Sequence, residues 1–89
     1  MLERELQITN RLGLHARAAA KLVQLLSGFR SQVTLTGRGR EVNAKSIMGV
    51  LLLAAGPGVS LVIRAEGEDE AEVVEAAAAL FERRFDEDS

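Results

Sequence analysis

The sequence predicts an α+β fold, a two-layer open-faced sandwich in which a four-stranded antiparallel sheet carries three helices on one face, in the order β-α-β-β-α-β-α. Three observations predict it. Four short segments alternate apolar and polar residues, as strands with one wet face do. Three other segments shift to the helical period. The chain has 89 residues, room for one domain over residues 1–89 with a modest core.

The elements follow in order. Leu6 and Ile8 alternate with Glu5, Gln7 and Thr9, a first strand. Residues 10–15 contain Gly13 and read as a loop. From Ala16 the period changes: Ala16, Ala19, Ala20, Val23 and Leu26 share one helical face, with Arg17, Lys21 and Gln24 off it. Gly28 stands where a left-handed cap is expected. Val33 and Leu35 mark a second strand, Gly37-Arg38-Gly39-Arg40 a tight turn, and residues 41–44 a short third strand. Ser46 precedes the apolar run Ile47 to Ala55 and reads as the N-cap of a short helix, which Gly56-Pro57-Gly58 ends. Val59, Leu61, Ile63 and Ala65 give the fourth strand. The last helix buries Val73, Val74, Ala77, Leu80 and Phe81, and residues 86–89 read as a frayed acidic tail.

Composition narrows the function. Eleven Lys plus Arg against 13 Asp plus Glu leave a net charge of −2, so nothing draws the chain to nucleic acid or an anionic membrane. There are three Phe and no Trp or Tyr, too few for base-stacking platforms. Cysteine is absent and histidine occurs once, which excludes thiol chemistry and argues against a zinc centre. The start, Met1-Leu2-Glu3-Arg4-Glu5, is charged and does not read as an export signal. The longest uncharged stretch, Ile47 to Val59, is too short to span a bilayer. A cytoplasmic monomer without a cofactor is expected.

His15 is the candidate for chemistry. It lies in a loop immediately before a helix, whose first amides and positive dipole end form a ready anion site. Arg17 follows two residues later and can fork two bonds onto phosphate oxygens. Gly13 permits a sharp turn or a close backbone approach. An imidazole, an anion site and an arginine together suit a histidine that carries phosphate. The helix end also disfavours an imidazolium, which keeps the ring nucleophilic.

The run Ile8-Thr9-Asn10-Arg11-Leu12-Gly13-Leu14-His15-Ala16-Arg17 resembles the active-site segment of the HPr family, the histidine phosphocarriers of the bacterial phosphoenolpyruvate-dependent phosphotransferase system. Asn43-Ala44-Lys45-Ser46-Ile47-Met48-Gly49-Val50-Leu51 resembles that family's second motif, around its regulatory serine. Spacing, element order and length match as well. The resemblance implies that enzyme I phosphorylates Nδ1 of His15, that Arg17 stabilises the phosphoryl group, and that an enzyme IIA-type protein accepts it. It also implies an HPr kinase acting on Ser46. One departure is Ala18, where the family commonly has proline; its loss alters loop geometry rather than chemistry. Ala18-Ala19-Ala20 and the acidic ending look closer to carriers of the nitrogen-related regulatory branch.

Ser46 has two compatible readings, a plain helix cap and a phosphorylation site whose phosphate the helix N-terminus tolerates. The helix it opens is apolar nearly all round, so some of Ile47, Met48 and Leu51 should be exposed and form a partner surface. Gly37-Arg38-Gly39-Arg40 is a turn rather than an RNA contact. Lys45-Ser46 lacks the glycine-rich loop of a phosphate-binding P-loop. Two other functions remain. One is a mainly regulatory binding module whose phosphorylation state controls target proteins. The other is an acyl-type carrier modified on Ser46, against which stand Lys45 and the four strands.

Overall fold

The computed structural model describes residues 1–88. Its elements are β1 Leu2–Gln7, α1 Ala16–Ser27, β2 Gln32–Gly37, β3 Arg40–Asn43, α2 Ile47–Leu52, β4 Ser60–Glu66 and α3 Glu70–Glu82. The sheet order is β1-β4-β2-β3, and every pair is antiparallel. Register sets Leu6 opposite Leu61, and Leu35 between Val42 and Ile63. Those residues are buried beneath the helices, as are Val33 and Ala65. The alternate residues face away, and there Arg64 of β4 reaches Glu3 of β1 at 2.6 Å and Glu41 of β3 at 3.8 Å. The predicted sandwich is therefore the observed one.

Details depart from the sequence reading for local reasons. Pairing of β1 with β4 begins at Leu2, and Ile8 extends the contact beyond β1 by donating its amide to the Val59 carbonyl at 3.0 Å. The hairpin turn holds Arg38 and Gly39 at φ 53° and 76°, the twist that right-handed strands require. The buried face of α1 is Ala18, Ala19, Leu22, Val23 and Leu26. Ala16 is exposed and Ala20 half-buried, because consecutive small alanines carry little periodic signal. Gly28 is right-handed at φ −78°. The last turn of α1 tightens instead, with Gly28 donating to the Leu25 carbonyl and Phe29 to the Leu26 carbonyl. The α2 helix stops at Leu52 rather than Ala55. Ala54 turns to φ 48°, and the chain beyond it runs beside the loop that carries His15.

The largest correction concerns the C-terminus. Asp86 and Glu87 do not fray, since both are held by side-chain contacts; Ser89 lies outside the described residues. After α3, Arg84, Phe85 and Asp86 form one left-handed turn with φ of 56°, 56° and 61°. Each such residue costs about 1–2 kcal/mol, so the turn persists only where its neighbours over-determine it. Phe85 is fully buried and meets Phe81 with ring centroids 4.8 Å apart. Asp86 accepts from Arg83 at 2.9 Å and from Lys21 of α1 at 3.3 Å. This turn sends Glu87 toward α1.

Candidate functional site

His15 is the N-cap of α1, with extended backbone at φ −75° and ψ −179°. The loop before it is held from two sides. Leu14 donates its amide to the Ala55 carbonyl at 2.9 Å. Gly13 has φ +68°, and a Cβ there would lie 2.5 Å from the Ala55 oxygen and 2.7 Å from the Gly56 Cα. Only glycine meets both demands, left-handed backbone and that approach. The short loop after α2 is thus the floor on which the His15 loop rests.

The imidazole is fixed at both nitrogens. Nδ1 accepts a long hydrogen bond of 3.3 Å from the Arg17 amide. Nε2 lies 2.5 Å from Oε2 of Glu87. An amide only donates and a carboxylate only accepts, so the network calls for the tautomer with its proton on Nε2 and a lone pair on Nδ1. Glu87 is itself anchored. Its Oε1 accepts from Nδ2 of Asn10 at 3.0 Å, and the same Nδ2 donates to the Gly13 carbonyl at 2.8 Å. Asn10 is fully buried. Burial works to raise the Glu87 carboxyl, but the bonds from Asn10 and His15, with the nearby Arg17 charge, outweigh it and hold the carboxyl below its ordinary value.

The ring opens on a cleft of about 660 Å³ bordered by Arg11, Leu12, Arg17, Glu87 and Asp88. The Arg17 guanidinium makes no ion pair with any described residue. It lines the cleft. The structure thus brings His15 and Arg17 together, as the sequence leads one to expect. It adds Asn10 and Glu87, which the sequence reading missed. Glu87 lies 72 positions from His15, and no local pattern links them.

Ser46 sits elsewhere, as the cap of α2. Its Oγ accepts from the Gly49 amide at 3.1 Å, and α2 packs against α1 and β3. Beside it Ile47, Met48 and Leu52 are 41%, 72% and 58% exposed. Leu51 is half-buried against the core, so Leu52 takes the place expected for it in the patch. Leu12, at 64%, exposes a further apolar side chain at the mouth of the cleft. None of the α2 residues borders the cleft itself.

Comparison with known proteins gives the same class. A sandwich of this topology with a histidine capping its first helix defines a small carrier domain. The family model described as "PTS HPr component phosphorylation site" matches residues 2–83. The chain is 61% identical over 89 residues to the phosphocarrier protein HPr of Xylella fastidiosa (strain Temecula1), covering all of both chains. It is also 40% identical over 88 residues to the phosphocarrier protein NPr of Shewanella violacea, covering 99% of this chain and 97% of that one. The crystal structure of HPr-C-His from Thermoanaerobacter tengcongensis superposes with a TM-score of 0.96 at 43% identity and full coverage of both chains. The chain belongs to the HPr family of phosphocarriers of the phosphotransferase system.

Proposed function

We propose that this phosphocarrier takes a phosphoryl group from enzyme I onto Nδ1 of His15 and passes it to an enzyme IIA-type acceptor, as a cytoplasmic monomer in sugar uptake or its regulation. The observation that carries this reading is the state of the ring. Its Nδ1 lone pair lies at the open end of α1, held only by a long amide bond, while Nε2 is occupied by Glu87. Phosphorus approaching Nδ1 displaces that weak bond, and the freed Arg17 amide then faces phosphoryl oxygens at the positive helix end. The Arg17 side chain closes over the new dianion. The reaction is transfer rather than turnover, so the chain is a carrier and not a catalyst in the ordinary sense.

Ser46 is then a second phosphorylation site for an HPr kinase. The exposed Ile47, Met48 and Leu52 form the partner surface. A mainly regulatory role in the nitrogen-related branch is the alternative, favoured by the NPr relative. The acyl-carrier reading falls away, because a four-stranded sheet is not an all-helical carrier.

The test is incubation with enzyme I and phosphoenolpyruvate, followed by site mapping and an acid-lability assay. An acid-labile phosphate on His15 is expected. Label on serine only, or none, overturns the reading. Repeating the transfer with purified IIA-type acceptors of the sugar and nitrogen branches separates the two roles.

A further inference from the structure

The left-handed turn after α3 is costly in backbone terms, and beyond burying Phe85 and pairing Asp86 it has one further product. It sets a carboxylate on the nitrogen of His15 that does not react. We propose that Glu87 is a positioning residue for phosphoryl transfer: it fixes the reactive tautomer of His15 and faces the charge that the ring acquires when Nδ1 is phosphorylated. The inference rests on the proposed transfer at His15 and assigns its control to the C-terminal segment.

The geometry supports both parts. Glu87 accepts at 2.5 Å from Nε2, which keeps the proton there and the lone pair at Nδ1. Its other oxygen is tied to the buried Asn10, which also holds the Gly13 carbonyl in the His15 loop. One asparagine therefore aligns the carboxylate and the loop it serves. Behind Glu87, Phe85 is locked in the core against Phe81, and Asp86 is clamped between Arg83 and Lys21. The carboxylate is presented by a rigid turn rather than by a loose tail.

The chemistry follows from the proton count. As phosphoryl arrives, the Nδ1–P bond forms and the donor's bond to phosphorus breaks, its electron pair staying with the donor. The Nε2 proton remains on the ring, which becomes a phosphorylated imidazolium. Glu87 faces that positive charge and stabilises it. As phosphoryl leaves, the Nδ1–P electron pair returns to Nδ1 and regenerates the neutral tautomer. The same carboxylate thus sets the tautomer before transfer and the phosphoryl-transfer potential after it.

The two effects separate with two variants of the full chain. Glu87→Gln retains an acceptor for Nε2–H but loses the charge. Glu87→Ala loses both. Nitrogen-15 spectra of the neutral His15 ring report the tautomer. The equilibrium ratio of phosphorylated chain to phosphorylated enzyme I reports the charge effect. In the wild type and Glu87→Gln the Nε2–H tautomer is expected to dominate, while Glu87→Ala shows both tautomers. The transfer equilibrium is expected to move about tenfold toward the unphosphorylated chain in both variants, the scale of a hydrogen bond to a charged group. Far-UV circular dichroism confirms folding of each variant. Unchanged tautomer and equilibrium in Glu87→Ala, with His15 still phosphorylated, overturn the role of Glu87 alone. Failure of the wild type to label on His15 overturns the transfer reading on which it rests.

Discussion

Two helices of this molecule start on residues that we propose carry phosphate, and they are built differently. At Ser46 every part of the cap is local: the hydroxyl accepts from an amide three residues on, and the chain around it is an ordinary helix start. At His15 the cap is poor, a ring nitrogen at 3.3 Å from its amide, and the precision comes from afar. Ala55 holds Leu14, Gly56 crowds Gly13, and Glu87 holds the ring. A good cap satisfies its helix and leaves nothing to react. A poor cap with distant supports leaves a lone pair available and still aimed. The contrast supports the chemistry proposed for the first helix and leaves the second with a stabilising cap.

The sharpest way to break the comparison is His15→Ala. It is expected to abolish acid-labile phosphorylation while the thermal transition stays within a few degrees of wild type, since the ring lies outside the core. Normal acceptance by this variant would transfer the chemistry to another residue and remove the contrast. Gly13→Ala tests the distant support. Its φ of +68° and the 2.5 Å approach to Ala55 predict a loss of about 2–3 kcal/mol, with slower transfer because the His15 loop lifts off its floor. Chemical denaturation and single-turnover transfer measure the two effects. A variant of full stability and full rate would mean the loop does not need that contact.

The third helix start sharpens the contrast further. Asp69 occupies the N-cap of α3 yet caps nothing there. Its carboxylate accepts instead from the Ser31 hydroxyl at 2.5 Å and from the Arg30 and Ser31 amides at 2.9 and 3.0 Å. The Ser31 hydroxyl, then the Arg30 amide, lower the Asp69 carboxyl below its ordinary value despite some desolvation. A carboxyl depressed in the folded state contributes stability above its unfolded value, and loses it as pH falls through the folded value. Asp69→Asn is therefore expected to be less stable than wild type at neutral pH, with the gap closing below about pH 4, the ordinary carboxylate value. Urea titrations at neutral and acid pH check this. A pH-independent gap would mean that hydrogen bonding alone, not ionisation, ties the two loops.

What the sequence made legible follows the same division. Alternating strands and the Ser46 cap are local signals, and the sandwich and α2 start came out as expected. Gly13, His15 and Arg17 stand at alternate positions of one short segment, so their association was visible too. The alanines of α1 blurred its buried face, because Ala16, Ala18, Ala19 and Ala20 differ too little from one another to mark a stripe. The Glu87 contact with His15 was invisible, since it depends on a left-handed turn of Arg84, Phe85 and Asp86 whose Phe85 finds a core site. A run of charged residues after a helix ordinarily reads as solvated, and only the packing of Phe85 overrides that reading.

The smallest expected effect belongs to Ser46, and it takes two variants to read. Ser46→Ala removes the acceptor for the Gly49 amide and should cost about 1 kcal/mol. Ser46→Asp keeps an acceptor and adds charge at a helix N-terminus, so it should be at least as stable as the alanine variant. In phosphoryl transfer the order should invert. Ile47 and Met48 lie immediately beyond Ser46 and are open to solvent. A partner that covers them must desolvate the added carboxylate, which is costly where no counter-charge meets it. Ser46→Asp should therefore lower the rate of His15 phosphorylation by enzyme I several-fold, while Ser46→Ala leaves it near wild type. Stability by denaturation and rate by quenched flow, measured on the same pair, keep the two roles apart. Equal rates in the two variants would make Ser46 a cap and nothing more. A slower Asp variant of intact stability would show that the local cap and the distant, built site of His15 meet through the partner that covers both.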